Sequence, residues 1–65
     1  MDFEIIAFYM AAVRGSLSLI DEQLRSESPD LQKIAAIAQE AVLNLYSIQS
    51  AILWNIHIQE VGDAK

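Results

Sequence analysis

The chain contains no cysteine, so neither a disulfide framework nor a thiolate metal site holds it together. Its single histidine, His57, is too few for the usual ligand sets of structural zinc. One proline, Pro29, and two glycines, Gly15 and Gly62, leave long stretches without a helix breaker. Aromatic residues make up 8% of the chain, too few for a surface on which nucleic-acid bases stack. Basic residues are equally scarce. Arg14, Arg25, Lys33 and Lys65 are scattered against nine carboxylates, for a net charge of −5. Phosphate binding needs clustered cations, so nucleic acid and anionic membranes are disfavoured partners.

The first residues, Met1-Asp2-Phe3-Glu4, lack the basic stretch that opens a secretory signal. The longest uninterrupted apolar run, Ile5 to Val13, has nine residues, whereas a bilayer-spanning helix needs about 20. These features point to a cytoplasmic protein without a membrane segment. No nucleophile–base pair and no glycine-rich phosphate loop is present, so no catalytic residue, cofactor or enzyme activity is expected.

What the chain does have is apolar residues in a helical rhythm. Phe3, Ile6, Met10, Val13, Leu17, Ile20 and Leu24 follow one another at alternating steps of 3 and 4. Leu31, Ile34, Ala38, Ala41, Leu45, Ile48 and Ile52 repeat the pattern. Such spacing lays one apolar stripe along each of two packed helices. Between the runs, Ser28-Pro29-Asp30 combines a capping residue, a proline suited to the first helical position and a first-turn carboxylate. The expected fold is all-α: a single antiparallel helical hairpin over residues 1–65. The first helix is expected at about 2–26, the turn at about 27–28 and the second helix at about 29–61. Asp2 and Glu4 favour the first helix's N-terminal dipole, and Gly62 suits the position just after the second helix. Folding the two stripes together sets Leu24 beside Leu31, Leu17 beside Ala38, Val13 beside Val42 and Phe3 beside Ile52. Gly15, with small neighbours, reads either as a tolerated surface glycine or as a point of close helix approach.

Apolar residues total 54% of the chain, above the roughly 45–50% of soluble domains, and the surplus gathers at the end away from the turn. Two helices side by side hide one stripe each, and small cysteine-free chains commonly complete their core by oligomerising. The expectation is a homodimer, joined into a four-helix bundle through the open ends. Candidate dimer or partner-interface residues are Ile5, Phe8, Tyr9, Ala12, Leu53, Trp54, Ile56 and Ile58. Arg14, Asn55, His57 and Glu60 are candidate rim or polar contacts. Asn44, Asn55 and Gln49 sit in or beside apolar stripes, where a polar group can fix register. His57 and Glu60 stand three apart, but the order reverses the Glu-x-x-His of di-metal bundles, so no metal site is expected. Asp21, Glu22, Glu27 and Asp30 cluster at the turn, as a solvated surface or as a docking patch for a basic partner.

As architecture, the whole chain resembles two kinds of small helical-hairpin regulator. Through its size, acidity and surplus apolar surface at Trp54, Ile56 and Ile58, it resembles phage-type anti-activator proteins, which bind transcription factors or motor ATPases and disable them. It also resembles Rop-type hairpins, which dimerise into four-helix bundles and bind paired RNA loops. The first resemblance implies a small regulator that binds and inhibits another protein. The second implies an RNA-binding adaptor, and a purely structural assembly subunit is the remaining reading.

Overall fold

The computed structural model describes residues 3–63. Asp2, counted above among the first-turn carboxylates, lies outside them. Two α-helices, α1 (Phe3–Leu24) and α2 (Leu31–Asp63), pack against each other as a hairpin, and no strand occurs among the described residues. At 22 and 33 residues they span roughly 33 and 50 Å, so α2 outruns α1 at the open end. The molecule measures 60 × 18 × 11 Å with a radius of gyration of 16.3 Å, where a globular domain of this length would have about 11 Å. It is one layer thick.

The loop is longer than the sequence suggests, because capping falls two residues later. Asp30, not Ser28, is the cap: its Oδ1 accepts the backbone N–H of Lys33 at 3.1 Å, and its carbonyl accepts that of Ile34 at 3.0 Å. Pro29 therefore precedes the cap instead of opening the helix. On the other side of the loop, Gln23 closes the last turn of α1, which ends at Leu24. The Gln23 carbonyl accepts both the backbone N–H and the hydroxyl of Ser26, at 3.1 and 2.8 Å. The Gln23 side-chain Oε1 accepts the backbone N–H of Asp30 at 3.2 Å, tying the end of one helix to the cap of the next. At the far end Gly62 lies within α2, without a positive φ, and is not the residue that ends it.

The seam between the helices is rotated from the stripes read from the sequence: Ile6, Val13, Ile20, Ile34, Ala38, Ala41 and Ile48 are covered as expected, and the other members are exposed. Leu17, Leu24, Leu31 and Leu45 are 56, 61, 74 and 50% exposed, and Phe3, Met10 and Ile52 are exposed with them. The covered positions of α1 include Ile6, Tyr9, Val13, Ser16, Ile20 and Gln23, with Ala12 beside them. Those of α2 include Ile34, Ile37, Ala41, Asn44, Ile48, Ala51 and Asn55. Each set keeps the 3-and-4 rhythm but exchanges one member of every heptad for its preceding neighbour. At four places, Leu17 for Ser16, Leu24 for Gln23, Leu45 for Asn44 and Ile52 for Ala51, the exchange replaces a large residue with a small or polar one. Ser16 and Ala41, at 8 and 7% exposure, are the most covered residues beside Ile6 and fall at matching levels of the antiparallel pair. Small side chains let the helix axes approach, a geometry that leucine at these positions would prevent. Gly15 faces away from this contact: a methyl group added there would meet nothing within 4 Å. Of its two readings, the surface glycine holds within the hairpin.

Candidate protein-docking surface

No large side chain among the described residues is fully buried, and eighteen large apolar ones are exposed. Two packed helices present two broad faces, and helix geometry sorts these residues between them. A residue one position after a seam residue lies about 100° round the helix. In an antiparallel pair the same rotational step on both helices leads to the same broad face, because reversing the chain and reversing the facing side cancel.

The first face is therefore built from the residues displaced from the seam: Phe3, Met10, Leu17 and Leu24 on α1, and Leu31, Leu45 and Ile52 on α2, all exposed. Val42 and Ile56 extend it sideways. Arg14 and Asp21 stand at its edge and no charged residue at its centre. A shallow open groove of about 310 Å³ lies here, lined by Val42, Leu45, Tyr46 and Gln49.

The second face is divided along its length. Near the open end it carries Ile5, Phe8 and Trp54, all exposed, with Trp54 at 63%. Toward the turn it mixes the charges Glu22, Lys33 and Glu40 with Leu19 and Leu43, all exposed. The Phe8 ring stands edge-on to that of Tyr9, with centroids 5.6 Å apart and planes at 78°. Trp54 has His57 beside it one turn on, at 5.7 Å and 35°. Each helix thus presents an exposed aromatic residue near the open end, Phe8 on α1 and Trp54 with His57 on α2, the kind of side chain that anchors partners.

The residues expected at an interface are accordingly not one patch. Ile5, Phe8 and Trp54 share the divided face. Tyr9 and Ala12 are half covered beside or within the intramolecular seam, Leu53 points away from it, and Ile56 belongs to the first face. Ile58 continues the seam line of α2 but is exposed, because α2 has passed the start of α1 there. Asn55 is half buried on the seam, and its Nδ2 donates to the carbonyl of Ala51 in its own helix at 2.8 Å. His57 and Glu60 are exposed. Sequence reasoning missed Gln23, whose only signal was its position just ahead of the loop.

The acidic residues at the turn are partly occupied. Asp21 pairs with Arg25 at 2.9 Å, both side chains largely in water, and Asp30 serves as the helix cap. Among the described residues no three His, Asp or Glu side chains converge as a metal site. By length and composition α1 is apolar enough to cross a membrane, with a mean hydropathy of 1.5 over its best window, although its uninterrupted apolar run is short. Arg14 sits near the middle of that helix, where a charge costs on the order of 2.5–3.5 kcal/mol in a bilayer. Compared with known proteins, the chain matches no family model, no curated protein and no solved structure.

Proposed function

We propose that this chain is a small cytoplasmic regulator that works as a homodimeric four-helix bundle and inhibits or modulates another protein by docking on it. The observation that carries the reading is the missing core: eighteen large apolar side chains exposed and none fully buried among the described residues. Burying one such side chain is worth roughly 1.5–3 kcal/mol. Leaving this many in water forgoes more than the 5–15 kcal/mol by which a typical domain is stable. Contiguous exposed apolar surface marks interaction sites, and a second layer is what a one-layer hairpin lacks.

Target binding is assigned to the exposed aromatic residues at the open end, where Trp54 and Phe8 would be the anchors and Ile5 their apolar surround. The charges farther along the same face, Glu22, Lys33 and Glu40, would set the orientation of a partner without supplying most of its affinity. The mechanism is occlusion: the bundle covers a functional surface of its target and performs no chemistry.

The test is capture from a nuclease-treated extract of the source cells, followed by reconstitution with purified components. A protein held by the native chain in fixed stoichiometry, and released by Trp54→Ala with Phe8→Ala, supports the assignment. Equal retention by the double variant contradicts it.

A further inference from the structure

The exposed apolar surface includes one face whose occupant can be named. We infer that a second copy of the chain covers the broad face centred on Leu17 and Leu45, and that the Trp54 face stays open. This rests on the homodimer reading above and assigns its interface. The face it selects differs from the open-end set of Ile5, Phe8, Tyr9 and Trp54.

Three observations lead to a second copy. The groove on α2 is formed by Val42, Leu45, Tyr46 and Gln49, residues at positions i, i+3, i+4 and i+7 of a single helix. Four residues at that spacing make the hole that receives one side-chain knob from a facing helix. In the hairpin this hole points away from α1 and is unfilled. Its natural occupant is an apolar side chain from another helix, and Leu17, Leu24 and Met10 stand exposed on the same face as such knobs.

The second observation is charge. The chain carries −5, so two copies meeting across acidic surface repel each other. A two-fold interface brings one patch against itself, which penalises any patch with a charged centre. The face around Leu17 and Leu45 carries only the oppositely charged Arg14 and Asp21, both at its α1 edge, whereas the opposite face carries Glu22, Lys33 and Glu40.

The third is size. A side of 60 × 18 Å offers on the order of 1,000 Å² per chain, against about 800 Å² per partner in a standard stable interface. The helix pair itself supports this division. By placing Ser16, Ala41 and Asn44 in its own seam, it leaves its leucines to a second layer.

A cysteine-free chain allows a test with a single introduced thiol as the reporter. Leu45→Cys and Leu43→Cys are made separately; Leu43 is exposed and lies about 200° round the helix from Leu45, on the Trp54 side of α2. Each thiol is labelled with a maleimide at low and high chain concentration, and sedimentation equilibrium of the same samples reports the oligomeric state. The expected result is that the thiol of Leu45→Cys reacts on the order of tenfold more slowly once the dimer forms, while that of Leu43→Cys keeps its monomer rate. In a sedimenting dimer, a fast thiol at position 45 overturns the assigned face and leaves the dimer standing. A chain monomeric at all concentrations overturns both. Leu17→Glu supplies an independent arm: it is expected to weaken the dimer at least about a hundredfold, whereas Phe8→Glu leaves it intact, and the reverse pattern contradicts the inference.

Discussion

The side-chain oxygen of Gln23 accepts the backbone N–H of Asp30 across the loop, at 3.2 Å, while the carboxylate of Asp30 caps α2 through Lys33. One glutamine on the covered side of α1 thus positions the residue that starts α2. The loop needs no glycine at a positive φ to reverse the chain.

This clasp yields the first prediction. Asp30→Ala removes the cap and should destabilise the fold by about 1 kcal/mol. Gln23→Ala removes one hydrogen bond in a partly exposed setting and should cost about 0.5 kcal/mol. The double variant should cost less than the two added together, since both act on the same turn. Urea unfolding of the four proteins, at one fixed chain concentration, checks the cycle.

The close approach at Ser16 and Ala41 yields the second. Ser16→Leu or Ala41→Leu should destabilise by about 1–3 kcal/mol, because the added carbons force the helices apart. Ser16→Ala should stay within about 0.5 kcal/mol, since size, and not the hydroxyl, is what the seam requires. Thermal melts followed by circular dichroism separate the two classes.

Gly15 yields the third. It lies in α1 with open space where a methyl group would project, so Gly15→Ala should raise stability by about 0.4–1 kcal/mol. A loss of stability would mean that another chain approaches this position closely.

The hairpin was legible in the sequence because helix periodicity and the Ser28–Asp30 punctuation are local properties. The seam was only half legible, for a physical reason. Ile6, Val13 and Ile20 belong to two overlapping stripes, one completed by Met10, Leu17 and Leu24 and the other by Tyr9, Ser16 and Gln23. Apolar spacing alone favours the first. The folded pair adopts the second, since Ser16 opposite Ala41 allows contact closer than Leu17 would permit, and a rotation of about 50°, half a residue step, is enough to exchange them. The same rotation redistributes the candidate site: Tyr9 turns toward α2, Phe8 and Trp54 stay outside, and Ile56 passes to the opposite face. The Gln23 clasp was invisible for another reason. It joins residues seven apart through a loop whose path no local spacing specifies.

The central claim is that a one-layer hairpin acquires its second layer from its own copy. Sedimentation equilibrium of the unmodified chain, from low micromolar to near-millimolar concentration, tests it most directly. A reversible transition to twice the chain mass is expected, with helicity gained or retained as the dimer forms. A folded, fully helical species at the single-chain mass throughout that range would contradict it.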